Sequence, residues 1–327
     1  MRPAYDPDHR PMIRRRALLL SSPAVVAAFT RPAAQSRRIS LGTAAEGGGF
    51  TVYGVAFVDM MKTVDPTLDF GLVATRGTAE NVPRLEAGAL DLGLVSGEVA
   101  YEILTGFGRP RSDLKVITAT YAMPGMFVVR SDSRFRTISD LKGQPVVWTG
   151  RDSGLAVQAR YVLSGLDLDP ERDFEAIYAD NLPDAPEMVI DGRCSALWGS
   201  GLRWPGFVKV ASSVRGAHFV APTAEEIVRI RVRHPFLKQL TVQAGLYRGQ
   251  YNAIDTVGSW SVMMARADLD DGLGRRIAAS LHKAVKTGQL TKQLVETTAA
   301  NTLAAVPRSD MLQPGVVQYY REAGLLK

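Results

Sequence analysis

Apolar and polar positions along the chain alternate between short apolar runs and longer stretches with helical spacing. A run at 38–42 reads as a strand, and a glycine-rich loop follows at 43–49. Beyond it, apolar residues at 52, 55, 56, 57, 60 and 61 mark one face of a helix over 50–62. The stretch 69–75 is a second strand, ending in Arg76, Gly77 and Thr78. Thr78 opens a second helix whose body is 81–87 and which Gly88 closes. A short apolar strand at 90–95 ends in Ser96 and Gly97. Strands alternating with helices predict parallel β-α-β units rather than a barrel of hairpins.

The pattern shifts near residue 119. Residues 122–130 read as a strand entered through Pro124 and Gly125, and 138–148 as a capped helical turn, a glycine stop and another strand. A polar loop at 149–153 then leads into a helix at 154–164, so the rhythm of strand, loop and helix starts again, as a second lobe requires. One more apolar strand at 258–265 precedes a tail that reads as helices to Lys327. The strands at 123–129 and 258–265 are natural crossing points between the lobes, returning the C-terminal helices to the first. No repeat at a fixed solenoid period is present.

The N-terminus has a different character. Arg14, Arg15 and Arg16 precede 13 uncharged, mostly apolar residues at 17–29, and then the small-residue triplet Ala34-Gln-Ser36. A basic region, a short apolar stretch and a cleavage triplet predict a secretory signal over 1–36. The stretch is too short to span a bilayer core of about 30 Å. Arg15-Arg-Ala-Leu-Leu19 also resembles a twin-arginine export signal, with Arg14 where Ser or Thr is usual, so both export routes stay open. The signal changes the charge argument: it holds six Arg and two Asp, +4 of the chain's +6, which leaves +2 for the mature part. Scattered over some 290 residues, that charge gives no support for nucleic-acid binding. A mature chain of about that length exceeds what one core usually serves, which again predicts two lobes. Cys194 is the only cysteine, so no internal disulfide or Cys-based metal cluster is possible, and no lipid-anchor cysteine follows the apolar stretch.

Three loops share one physical property. Those at 43–49, 75–81 and 149–153 each follow a strand and precede a helix, offering hydroxyls or backbone N–H groups at a helix N-terminus. Such ends suit carboxylates and other anions, and in an open α/β sheet they lie at the ligand-binding edge. Each alone fits ordinary capping equally well; three together, divided between two lobes, favour a ligand cleft. Enzyme signatures are weak. Gly47-Gly-Gly49 lacks dinucleotide-loop spacing, no glycine loop is followed by Lys-Ser or Lys-Thr, and Ser153 is not in a nucleophile elbow. Outside the signal His218, His234 and His282 share no metal spacing, and no paired carboxylates stand out. Trp198, Trp204 and Trp260 suit either a cleft wall or the core.

With these loops in view the chain resembles a known family. Gly42-Thr-Ala-Ala-Glu-Gly-Gly-Gly-Phe-Thr-Val-Tyr-Gly54, Thr75-Arg-Gly-Thr-Ala-Glu-Asn81 and Leu85-Glu-Ala-Gly-Ala-Leu-Asp-Leu-Gly93 are similar to first-lobe motifs of the TAXI family of TRAP-transporter solute receptors. Ile138-Ser-Asp-Leu-Lys-Gly143, Gly150-x-x-Ser-Gly154, Leu246-Tyr-Arg-Gly-Gln-Tyr251 and Thr256-Val-Gly-Ser-Trp260 resemble its later segments, in the same order. The resemblance implies a periplasmic binding protein-like (type II) fold, with two α/β lobes at 37–123 plus 262–327 and at 124–261. It implies a periplasmic, monomeric, non-enzymatic receptor without metal or cofactor, which hands a small organic acid or amino-acid-like ligand to a TRAP membrane permease. The ligand contacts it implies are Gly49, Phe50, Tyr53 and Asn81 from the first lobe, and Asp152, Ser153, Gly154, Trp198, Ser200 and Tyr251 from the second.

The chain departs from the family at Glu46, where Ser or Thr is usual, at Phe50-Thr51, where Tyr-Tyr is common, and at Leu155, where Thr is usual. An added acid and lost hydroxyls favour a less anionic or more apolar acid than a dicarboxylate. Three other readings remain: an ABC-importer binding protein for sulfonates or thiamine precursors; an enzyme on the same bilobal fold, which would need Cys194 in a basic, cleft-facing setting; and an exported protein that presents its ligand to a sensor.

Overall fold

The computed structural model describes residues 38–179 and 181–327, so the export signal expected at 1–36 lies outside the described residues. The first lobe opens with β1 (Ile39–Gly42), α1 (Gly49–Val64), β2 (Phe70–Val73), α2 (Thr78–Glu86), β3 (Leu92–Val95) and α3 (Gly97–Thr105). β1 pairs in parallel with both β2 and β3, and every residue of β3 is buried, as expected for a strand covered on both faces. α1 buries Phe50, Tyr53, Phe57, Met61 and Val64, one side of the helix at i, i+3, i+4 spacing. Gly77, at φ +79°, turns the chain sharply into α2, a conformation that favours glycine. The helix α3 went unread in the pattern, although Ser96 precedes it and Gly106 ends it in the left-handed region.

Two long strands then carry the chain between lobes. β4 (Lys115–Arg130) runs outward, and β5 (Pro145–Trp148), α4 (Gly154–Ser164), β6 (Glu175–Tyr178), α5 (Ala185–Ile190), β7 (Ala196–Ser200) and α6 (Pro205–Ser212) follow it. After β8 (Ala217–Val220), α7 (Ala224–Arg233) and β9 (Lys238–Val242), β10 (Ile254–Ala265) runs back antiparallel to β4. The chain ends in α8 (Asp271–Lys286), α9 (Ala299–Ala305) and α10 (Pro314–Glu322). The sheet order is β2-β1-β3-β10-β4-β7-β5-β6, with β8 beside β4 and β9 beside β10. One apolar core draws on residues between 39 and 117 and between 262 and 320, and two more lie between 126 and 257.

The strand expected at 122–130 begins at Lys115 instead, and Pro124 lies inside it. A proline is tolerated there because β4 changes partners at that point. It pairs with β10 up to Gly125 and with β7 and β8 from Gly125 onward. At the crossing itself a Cβ on Gly258 would lie 1.9 Å from the Met123 carbonyl oxygen, so only glycine lets the two strands meet. Among the described residues, no helix is long and apolar enough to cross a membrane.

Candidate functional site

A cavity of about 530 Å³ lies where residues of both lobes meet. Its construction follows from the loops before the helices. The residues immediately before α1, α2, α3, α4 and α6 are Gly48, Gly77, Ser96, Ser153 and Trp204, and all five line it. Only α4 among these has a side-chain cap, from Ser153 Oγ to the Ala156 N–H at 3.1 Å. The first two N–H groups of α1 (Gly49, Phe50), α2 (Thr78, Ala79) and α4 (Gly154, Leu155) have no acceptor among the described residues, and all six residues line the cavity. The cavity is therefore a concentration of open donors at positive helix ends.

The three helices α2, α3 and α4 converge closely. The Ser96 N–H donates to Thr78 Oγ1 at 3.0 Å. A Cβ on Gly154 would lie 2.6 Å from Ser96 Oγ and 3.0 Å from Thr78 Oγ1, so the second lobe's helix touches the first lobe's two through a glycine. Across the cavity, a Cβ on Gly49 would approach the Tyr121 hydroxyl to 3.0 Å and Trp204 to 3.7 Å, and one on Gly47 would approach Pro183 to 3.5 Å. Glycines thus stand where the loops around the cavity approach one another most closely. Two hydroxyls in the lining, Ser96 Oγ and Ser200 Oγ, belong to residues only 1% exposed and have no hydrogen-bond partner among the described residues.

Among the described residues the charged ones in the lining are Arg76, Arg151 and Asp152, and all three are exposed. Arg76 lies 3.5 Å from Glu80, while Arg151 pairs with Glu171 and sits 4.1 Å over the Tyr178 ring. Burial pushes the Tyr121 phenol far above its usual range, so it stays a neutral donor. Phe50, Met123, Leu155, Leu182 and Trp204 supply apolar walls. Glu46 is exposed and does not line the cavity, which removes the argument that it repels an anion there.

Of the residues the sequence pointed to, Gly49, Phe50, Asp152, Ser153, Gly154 and Ser200 come together in the lining. Four do not. Asn81 is fully buried behind the loops: its Nδ2 donates to the carbonyls of Thr43 and Leu94, each at 2.8 Å, and its Oδ1 accepts from Thr75 Oγ1 at 2.8 Å. It braces the ends of β1 and β3 rather than facing the cavity. Tyr53 is buried with its hydroxyl 3.0 Å from Thr297 Oγ1. Trp198 is core: it packs edge-on against Phe127, and its indole N–H donates to the Leu155 carbonyl at 3.0 Å. Tyr251 is 87% exposed and lies outside the cavity, because it is Gln250 that turns inward, its Nε2 donating to the carbonyls of Gln243 and Asn252.

The unread lining residues include Ser96, Tyr121, Met123 and Leu182, while Thr78 comes from the loop expected at 75–81. Tyr121 and Met123 stand two apart on β4, the strand period that puts both on one face. Cys194 is buried outside the lining, its thiol pushed up to about 11 by burial, which is neither the basic nor the cleft-facing setting an enzyme would need. The three histidines serve packing: His218 bonds the Phe135 carbonyl, His234 meets Ser164 and His282 meets Tyr319. Among the described residues no group of three or more His, Cys, Asp or Glu is placed to hold a metal ion.

A model of the NMT1-like family matches residues 41–324, and the chain belongs to that family. Among solved structures it is similar to Tv2483 bound to L-arginine, at 9% identity and a TM-score of 0.52, covering 81% of this chain and 92% of that one. It is also similar to the periplasmic aliphatic sulphonate binding protein SsuA from Escherichia coli, at 16% identity, 87% and 82% coverage and a TM-score of 0.47. A putative L-cystine ABC transporter protein from Listeria monocytogenes aligns at 17% identity, 78% and 93% coverage and a TM-score of 0.49. The chain has the bilobal α/β fold of periplasmic binding proteins.

Proposed function

We propose that this NMT1-like protein works outside the cytoplasmic membrane as a solute-binding protein, closing two lobes over a small acid and delivering it to a membrane permease. One observation carries the reading: six N–H groups at the starts of helices from both lobes, unpaired among the described residues, surround one cavity. Binding between lobes lets one ligand satisfy donors on each, so closure and capture are the same event. The lobes are taken as 37–123 plus 262–327 and 124–261, with Gly49, Phe50, Asp152, Ser153, Gly154 and Ser200 around the ligand. The export signal read at 1–36 supports a periplasmic location. The order and content of the TAXI-like motifs support a TRAP permease as the partner.

A thermal-shift screen of the purified protein against small acids tests the capture step. At ligand concentrations a hundredfold above Kd, binding stabilises the folded state by about 2.7 kcal/mol. At this chain length that should raise the Tm by roughly 4–5 °C. If no acid, amino acid or sulfonate raises the Tm, the solute-binding reading fails. Delivery is tested separately, in proteoliposomes holding the permease encoded beside it: uptake should follow an imposed ion gradient without ATP. ATP-dependent uptake would replace the TRAP partner with an ABC importer.

A further inference from the structure

We infer that α3 and α4 form a latch outside the cavity, which holds the two lobes together before any ligand enters and thereby sets the affinity for the one that does. This rests on the solute-binding reading and adds to it the device that governs closure. The two helices pack into different lobes. Val99, Ala100, Ile103 and Leu104 of α3 belong to the core shared with β1, β2, β3 and the C-terminal helices, whereas Ala159, Val162 and Leu163 of α4 belong to a core drawn from 127–257.

Between the lobes one face of each helix meets the other at helical spacing. Ser96 stands against Gly154, Gln158 Nε2 donates to Glu98 Oε1 at 2.9 Å, and the Tyr161 hydroxyl donates to Glu102 Oε1 at 2.7 Å. Both helices start at the cavity, so these contacts run outward from its wall over about 10 Å. At the outer end Tyr101 stacks on Phe236, the ring centroids 4.2 Å apart and the planes within 10° of parallel, and Tyr161 meets the same ring edge-on at 5.0 Å. His234 packs edge-on against Tyr161 at 5.0 Å and meets Ser164 Oγ at 2.8 Å, which holds the second lobe's half of the cluster in place. Val157, one turn before Tyr161, packs against the first lobe's core. Tyr101, Glu102, Tyr161 and Phe236 are not in the cavity lining.

The geometry also gives the latch its direction. Its contacts coexist with touching starts of α3 and α4, where a Cβ on Gly154 would lie 2.6 Å from Ser96 Oγ. A rotation that parts the lobes at the cavity has to move α4 against α3. Stacked rings and a short hydrogen bond lose much of their strength within about 1 Å of such displacement. Tyr161 keeps the proton that its bond needs, because burial first and Glu102 next hold its phenol above the ordinary range. The latch therefore favours the arrangement in which helix starts of both lobes face one cavity, and less of a ligand's binding energy goes into closure. A stacked pair or a hydrogen bond each shifts such an equilibrium by about two- to tenfold. Removing one lowers the closed fraction, and with it the apparent affinity, by up to that factor.

Spin labels at Asp59→Cys on α1 and Val214→Cys after α6, both exposed positions, read the separation of the lobes by double electron–electron resonance in the purified, ligand-free protein. With the latch intact one separation should dominate. Phe236→Ala should raise a second population about two- to tenfold, and Tyr161→Phe, which keeps the ring and loses only the bond to Glu102, should raise it less. An unchanged distribution in both variants overturns the latch, even where the Tm falls, because a merely structural contact would lower the Tm alone. If Phe236→Ala does not fold, Tyr161→Phe decides. Calorimetric titration with glutamate, 2-oxoglutarate, phenylacetate and hexanesulfonate reads the affinity. Each compound that binds should bind Phe236→Ala more weakly, by the same factor of about two to ten. Tighter binding to the variant overturns the direction of the latch, and a loss confined to one compound overturns its placement outside the cavity. Should none of the four bind the wild type, that counts against the solute-binding reading alone, and the distances by themselves support or overturn the latch.

Discussion

Glu98 is fully buried at the second position of α3, where its Oε1 accepts from Gln158 Nε2 at 2.9 Å and from Ser259 Oγ at 2.7 Å. Its Oε2 has no partner among the described residues. Gln158 also donates to the Met123 carbonyl at 2.8 Å, so this knot ties α3 and α4 to both crossing strands. Burial pushes the Glu98 carboxyl above its ordinary range, the acidic Glu102 adds to the shift, and among the described residues no cation pairs with it. The sign follows. The folded state keeps a proton that the unfolded chain releases, so stability is greatest below the ordinary carboxylate range. It falls as pH rises from there to the raised folded value, by about 1.4 kcal/mol per pH unit across that window. Glu98→Gln keeps an acceptor for Gln158 and Ser259 but has nothing to titrate. Its amide nitrogen is left unpaired much as the protonated Oε2 was, so at pH 4 the two proteins should agree within about 1 kcal/mol. At pH 8 the variant should be the more stable, each 1 kcal/mol raising its Tm by roughly 1.5–2 °C. Burial also raises Glu296, but that residue is common to both proteins and cancels in the difference. Calorimetric melts from pH 4 to 8 measure the gap. Parallel Tm curves, or a variant less stable than wild type at pH 8, would refute the reasoning.

Gly154→Ala places a methyl group 2.6 Å from Ser96 Oγ, where α4 meets the start of α3. It should weaken ligand binding by at least tenfold in calorimetry while moving the ligand-free Tm by under about 2 °C, since an open form relieves the clash. Trp198→Ala empties the core behind the cavity and should cost about 3–5 kcal/mol in urea unfolding; a loss below 1 kcal/mol would contradict its burial against Phe127. Cys194, with its thiol near 11, is thiolate in only about one molecule in a thousand at pH 8. Thiol reagents should therefore modify it at the rate of unfolding, and rapid labelling of the native protein would count against the buried setting. Tyr251→Ala should leave both ligand affinity and Tm unchanged, and a tenfold loss of affinity would mean that the loop folds over the bound cleft.

Much of the first lobe was legible because its elements carry local signals. The turn into α2 needs a positive φ, which Gly77 supplies, and the apolar face of α1 repeats at helical spacing. The crossing strands were legible only in part. Pro124 argues locally against a strand interior, and what overrides it is a change of strand partner made by residues some 75 to 130 positions away. α3 was missed for a different reason. It begins directly after β3, so its start looks like the polar end of a strand, and its buried face includes the carboxylate Glu98. A charged residue in a hydrophobic pattern reads as exposed unless its partners are known, and Gln158 and Ser259 lie 60 and 161 positions away.

The candidate site shows the same division between local and distant information. Loops at helix starts were readable because the donors belong to the backbone and are set by where a helix begins. Which polar side chains face those donors was not. Asn81 and Ser96 are both small polar residues near the strand ends, yet Asn81 spends its hydrogen bonds on Thr43, Thr75 and Leu94, while Ser96 Oγ is left open. An amide has two donors and an acceptor to distribute, and two loops and the end of β3 absorb them; a hydroxyl held between two helix ends finds no partner among the described residues. The brace is therefore the residue with the richer hydrogen-bonding capacity, and the lining hydroxyl the one whose capacity the described residues leave unused. By that criterion Ser200 belongs with Ser96, and Trp198, whose single donor is taken by Leu155, belongs with Asn81.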